Sequence, residues 1–111
     1  MKLIVAIVQD EDAQRLVGEL MDGHFGVTKL ATTGGFLRSG NTPLISGVDD
    51  ERLEEALAII ERTCRSRQQM TTAAVSPGAS MAGMGHTHYP VQVTVGGATV
   101  FVLEVSRFLK V

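Results

Sequence analysis

The chain opens on Lys2-Leu3-Ile4-Val5-Ala6-Ile7-Val8-Gln9, an apolar run rich in Ile and Val. A run of that kind predicts a strand buried on both faces. Asp10 then predicts a helix cap, with Glu11 and Asp12 favourable in the first turn. Ala13, Leu16, Val17, Leu20 and Met21 follow at i, i+3, i+4, i+7 and i+8. They form one apolar helix face, and Gly23 predicts its end.

Residues 25–31 mix Phe, Val, Thr and Leu and predict a second strand. Thr32-Thr33-Gly34-Gly35 interrupts the pattern, and Arg38-Ser39-Gly40-Asn41 reads as a turn. Residues 42–48 predict a third strand, so the pair is a hairpin with a glycine-rich tip. Asp49-Asp50 predicts the start of a second helix, with Leu53, Ala56, Leu57, Ile60 and Cys64 on its apolar face. From about residue 65 to 87 the periodicity dissolves into Ser, Thr, Ala, Gly and Met around Pro77, a connection long enough to be functional or disordered. Residues 89–95 alternate strictly, Tyr-Pro-Val-Gln-Val-Thr-Val. Gly96-Gly97 then reads as a two-residue turn into a last strand over residues 98–105, with the alternating segment paired to it as a hairpin.

Two tandem βαβ units predict an α+β, ferredoxin-like antiparallel sheet with both helices on one face. The other face would be bare in a monomer. A small domain gains by covering such a face with copies of itself, so an oligomer is expected.

Composition narrows the function classes. At 111 residues the chain has the size of one domain. The formal charge of −2 lacks the basic bias of a protein that tracks a nucleic-acid polymer. Aromatics are 5% and Trp is absent, so the core must be aliphatic. The opening apolar run is too short for a secretion signal, and no stretch approaches a membrane helix. The single cysteine, Cys64, has no partner in the chain. Together these predict a soluble cytoplasmic protein.

The segment from Thr28 to Thr42 carries the densest chemistry. Its glycines free backbone N–H groups for an anion, Thr28, Thr32 and Thr33 add hydroxyls, and Lys29 and Arg38 add charge. Phe36 offers a stacking ring and Asn41 a donor and acceptor for a base edge. These are parts of a nucleotide site, though not of a P-loop or a dinucleotide fingerprint. A hairpin with glycine turns and Phe36 in the core explains the same residues. His86-Thr87-His88 could share a metal, but no Cys or carboxylate beside them completes a shell. No catalytic signature is present, and Met70, Met81 and Met84 suit either loop filler or a docking surface.

The opening Met1-Lys2-Leu3-Ile4-Val5-Ala6-Ile7-Val8-Gln9-Asp10, the run Val27-Thr28-Lys29-Leu30-Ala31-Thr32-Thr33-Gly34-Gly35-Phe36-Leu37-Arg38-Ser39-Gly40-Asn41-Thr42, and Tyr89-Pro90-Val91 leading to Gly96-Gly97-Ala98-Thr99-Val100-Phe101-Val102-Leu103 resemble the PII-like cyclic-di-AMP receptor family. The resemblance covers nearly the whole chain outside the Met-rich loop. It implies one PII-like domain over residues 1–111, with an extra hairpin-paired strand, a short loop at about 33–41 and a long flexible loop at about 66–88. It further implies a homotrimer that binds cyclic di-AMP in clefts between subunits, has no catalytic activity or cofactor, and signals to an unknown protein partner by loop reordering. Val27, Thr28, Gly35, Phe36, Leu37, Asn41 and Gly47 match residues that line the family's cleft, and Phe101 matches one contributed by the neighbouring subunit. This chain departs from the pattern at Gly26, where an Arg is usual, and at His24, where an Asn is usual. Its tail, Phe108-Leu109-Lys110-Val111, replaces a usual Phe-His-Gln-Phe. Two alternatives stay open, the first motivated by the missing Arg. One is a PII-like protein for another nucleotide such as ATP or ADP. The other is a small ferredoxin-like enzyme or metal-binding protein using His86 or His88.

Overall fold

The first strand alternates in burial, which sets the whole layout. In β1 (Lys2–Gln9), Ile4, Ala6 and Val8 are buried while Leu3, Val5 and Ile7 are half-buried. A strand expected to be covered on both faces is therefore covered by helices on one. The computed structural model describes residues 1–31, 40–74 and 88–111. After β1 come α1 (Asp10–Asp22), β2 (Thr28–Lys29), β3 (Asn41–Val48), a short 3-10 turn (Asp50–Arg52), α2 (Leu53–Cys64), β4 (Arg67–Ala74), β5 (His88–Val95) and β6 (Ala98–Glu104).

Four strands form an antiparallel sheet in the order β2-β3-β1-β6. β1 lies between β3 and β6, so the two βαβ crossovers interleave. That order, with two helices on one face, is compatible with a ferredoxin-like fold. The core joins Ile4, Ala6, Val8, Leu44 and Val48 of the sheet to Ala13, Leu16 and Leu20 of α1 and to Ala56, Ile59, Ile60 and Cys64 of α2. Both helices use most of their expected faces. Met21 is the exception, since it stands 60% exposed on the rim.

The end of α1 differs from expectation in an instructive way. Gly23 is not the left-handed residue; His24 is, at φ 67°. The N–H of Phe25 donates to Leu20 O at 2.9 Å and that of His24 to Met21 O at 2.9 Å, the paired bonds of a Schellman cap. Phe25 and Leu20 are both buried, completing its hydrophobic contact. Gly23 fits for another reason: a Cβ there would stand 3.2 Å from Ile59 Cδ1 and from Phe25 Cδ2, so those side chains would have to give by a few tenths of an ångström. Arg52 closes this corner. It donates to Gly23 O at 2.6 Å, pairs with Glu55 through two nitrogens at 3.0 and 3.1 Å, and lies 4.0 Å from the Phe25 ring centroid.

The acids expected to cap helices have other partners. Gln9 holds the N-cap position of α1 without a side-chain cap, while the Asp10 carboxylate accepts from the Thr42 hydroxyl. Asp50 pairs with the N-terminal ammonium at 2.9 Å and with Lys2 at 3.6 Å.

The largest correction lies after α2. Residues 67–74 and 88–95 are strands, so the loop expected over 66–88 is narrower at both ends. β5 pairs with β4, from Arg67 opposite Val95 to Ala74 opposite His88. It does not pair with β6 across Gly96-Gly97, as the alternation suggested; β6 pairs with β1 and β5 with β4. The extra hairpin is thus a separate two-stranded ribbon inserted before the last strand. The second strand is likewise shorter than expected, two residues in place of seven, because Phe25 and Val27 turn into the core.

Candidate ligand site

The register of the sheet sorts the candidate residues by face. Because Ile4, Ala6 and Val8 point to the helices, Leu3, Val5, Ile7 and Gln9 point away from them. Thr28 pairs with Ile45, Ile45 with Val5, and Val5 with Phe101, which makes one row across the open face. Gly47, Leu3 and Leu103 make a second row, and Pro43, Ile7 and Thr99 a third. Asn41 stands opposite Gln9 at the end. Thr28, Asn41, Gly47 and Phe101, chosen from the sequence, therefore share one face.

That face is apolar and open. Phe101 is 52% and Leu103 47% exposed. Thr28 lies three strand spacings from Phe101, about 14 Å, so the two stand on opposite edge strands within one copy. Val27 departs from the group, since its side chain packs against the core. Gly35, Phe36 and Leu37 lie outside the described residues, as does His86.

Two clefts share the wall formed by Gln9 and Asn41. One, of about 360 Å³, adds Asp10, Glu11 and Gly40; the other, of about 310 Å³, adds Ile7, Gly96, Gly97, Ala98 and Thr99. Asp10 and Glu11 make the first unsuited to a phosphate and better suited to the amino edge of a base. The second is floored by main chain. Gln9 was missed as a functional candidate, although its strand parity with Leu3, Val5 and Ile7 places it on this face. Its amide oxygen accepts from the Gly96 N–H at 2.7 Å.

Gly96 and Gly97 both have positive φ, at 85° and 94°. A Cβ on Gly96 would stand 2.5 Å from Arg67 Nη1 and 2.6 Å from Arg65 O, so only glycine fits. Arg67 anchors the ribbon to the body. Its guanidinium reaches the buried Asp12 carboxylate at 2.9 and 3.4 Å, and Arg15 approaches the same group at 3.5 Å.

A third cleft, of about 410 Å³, lies between α2 and β6 and is lined by Leu57, Ile60, Cys64 and Val100 among others. Burial pushes the Cys64 thiol up to about 11, aided by the nearby Asp12 carboxylate. A thiol so held is protonated at neutral pH and is no nucleophile. Among the described residues no three metal-ligating side chains converge.

The position of the usual Arg is spacious. A Cβ on Gly26 meets nothing within 4 Å, and its carbonyl accepts from the Ser46 hydroxyl at 2.6 Å. A side chain there projects without disturbing the core.

A family model described as cyclic-di-AMP receptor matches residues 1–111, the whole chain. The chain belongs to the cyclic-di-AMP receptor family. Among solved structures, a functionally unknown protein from Pediococcus pentosaceus ATCC 25745 is 42% identical, with a TM-score of 0.73 over 99% of this chain and 96% of that one. Membership in a receptor family points to a binding protein. Among the described residues no helix is long and apolar enough to cross a membrane.

Proposed function

We propose that this receptor-family chain is a cyclic-di-AMP sensor that works as a homotrimer. The observation that carries the reading is the spread of Thr28, Asn41, Gly47 and Phe101 over one open sheet face. Two copies packed through this face bring Phe101 of one beside Thr28 of the next, which a single copy cannot do. The trimer buries Leu3, Val5, Ile7, Ile45 and Leu103, removing an apolar surface from water. Gly47 leaves the close approach free of a side chain. The dinucleotide lies in the cleft between copies, with its phosphates toward the glycine-rich segment and Lys29, and an adenine edge toward Asn41. Val27 contributes packing, and Gly35, Phe36 and Leu37 contribute from the segment between β2 and β3. The signal passes to a protein partner through the loop regions, in the cytoplasm, with no catalytic step.

Calorimetric titration tests this, with cyclic di-GMP, ATP and ADP as controls. One cyclic di-AMP per subunit is expected, on a species of three chains by sedimentation. No heat with cyclic di-AMP at tens of micromolar, from a folded trimer, overturns the reading.

Gly26 supports a second reading, a mononucleotide preference. The open space at this position means that Gly26→Arg folds normally. Heat with ATP or ADP alone, and a gain of cyclic-di-AMP binding in Gly26→Arg, favour that alternative.

A further inference from the structure

The clefts and the ribbon meet at one side chain. Gln9 ends β1 and is half-buried, and it makes no capping bond to α1. Its oxygen instead holds the N–H of Gly96, the residue through which β5 leaves the ribbon for β6. The same side chain lines both clefts that Asn41 lines, and Gln9 stands directly opposite Asn41 in the sheet.

The ribbon base has two other anchors, and both run to the helix side. Gly97 N–H donates to Cys64 O at 2.5 Å, and Arg67 pairs with Asp12. Neither Cys64 nor Asp12 lines the Gln9–Asn41 clefts. Of these three anchors, only Gln9 also lines the clefts that Asn41 lines.

We propose that Gln9 is the positioning residue that couples ligand occupancy at Asn41 to the order of the β4–β5 ribbon. A ligand against the Gln9–Asn41 wall restricts the Gln9 side chain to the rotamer that accepts from Gly96. The ribbon base is then tied on the sheet side as well as the helix side. Without ligand, Gln9 samples other rotamers and the tie is intermittent. The inference rests on the nucleotide reading above, and it assigns the route by which that site reaches the ribbon.

Amide hydrogen exchange at Gly96 tests it, because that N–H makes the bond in question. In the wild-type trimer, cyclic di-AMP should slow Gly96 exchange about tenfold, the ratio that one ordinary hydrogen bond supports. Amides of residues 67–71 should slow with it. Gln9→Met keeps the length of the side chain and loses the acceptor. At cyclic di-AMP concentrations that saturate it by calorimetry, it should show no ligand-dependent protection. Gln9→Glu restores an oxygen acceptor, so protection should return at ligand concentrations that saturate it. Ligand-dependent protection in Gln9→Met equal to wild type overturns the role of Gln9 and leaves the site intact. Loss of protection in Gln9→Met that Gln9→Glu does not restore also overturns it. No heat with cyclic di-AMP in the wild type overturns the nucleotide reading itself, and the relay with it.

Discussion

The four-stranded sheet and the β4–β5 ribbon are both antiparallel, yet different forces hold them. The sheet presents Ile4, Ala6, Val8, Leu44 and Val48 to two helices, so apolar burial fixes it. Among the described residues no helix covers either face of the ribbon. Val91, Val93 and Val95 are only half-buried, while Gln68, Gln69, Met70 and Thr71 are exposed. A two-stranded ribbon is marginal alone in water. Its order depends on its base, where Arg67, Gly96 and Gly97 tie it to the body. The body is thus stabilised from within and the ribbon from one end.

Core truncation should break the two regions apart most sharply. Leu16 is fully buried in α1. Leu16→Ala should cost about 3 kcal/mol and lower the thermal midpoint of the whole molecule. Val93→Ala in the ribbon should cost about 0.5 kcal/mol and leave that midpoint nearly unchanged. Calorimetry at one protein concentration compares them. Equal losses would show that the ribbon is part of the cooperative core.

The base of the ribbon comes next. Gly96→Ala puts a methyl against Arg67 and the Arg65 carbonyl at positive φ, with a cost of about 2 kcal/mol. Arg67→Met leaves the Asp12 carboxylate with Arg15 alone, at 3.5 Å, and should cost about 3 kcal/mol. Both should raise proteolysis and amide exchange in residues 67–74 and 88–95 far more than in β1. Uniform destabilisation of sheet and ribbon would remove the distinction between them.

The same division explains what could be read in the sequence. The apolar period of α1, α2 and β1 reports burial against a core, and it located those elements correctly. β4 reads Arg-Gln-Gln-Met-Thr-Thr-Ala-Ala, which carries no apolar period, and Gln68, Gln69, Met70 and Thr71 are all exposed. Its partner β5 alternates clearly, but alternation names a face and not a neighbour. Gly96-Gly97 looked like a hairpin turn because its glycines do have positive φ. What they meet is the end of α2, a contact no local pattern reveals. Of the residues that the family resemblance implies, Thr28, Asn41, Gly47 and Phe101 lie on regular strands, so the register puts them on one face. Gln9 escaped because its bond with Gly96 joins positions 87 apart.

A smaller effect, of opposite sign, separates the body's own turn chemistry from the ribbon's. His24 holds a left-handed conformation at φ 67° that costs a residue with a Cβ more than it costs glycine. His24→Gly should stabilise by about 1 kcal/mol, read as a higher denaturant midpoint. Ribbon exchange should not change, because the cap lies on Phe25 and Leu20 rather than on Arg67 or Gly96. A slower ribbon would mean that the far end of α1 communicates with it.

The smallest effect is on the acid side. The hydrogen bond from Arg52 holds the Glu55 carboxyl below its usual 4.5, against a weaker opposing push from burial and with added attraction from Arg52 and His24. A carboxyl depressed in the folded state binds protons more readily when unfolded. Its contribution is therefore complete above the unfolded value and is lost as pH falls below about 4.5 toward the folded value. Asp50 moves in the same direction, chiefly through its bond from the N-terminal ammonium. Both pairs are solvent-exposed, so screening keeps the effect small. Glu55→Gln should flatten the fall in stability between pH 5 and pH 3 slightly, measured by denaturant titration at low salt. It should do so for the sheet and helices while the ribbon's exchange keeps its wild-type dependence on pH. An unchanged slope in the body would show that Arg52 stabilises this corner through Phe25 and the Gly23 carbonyl alone.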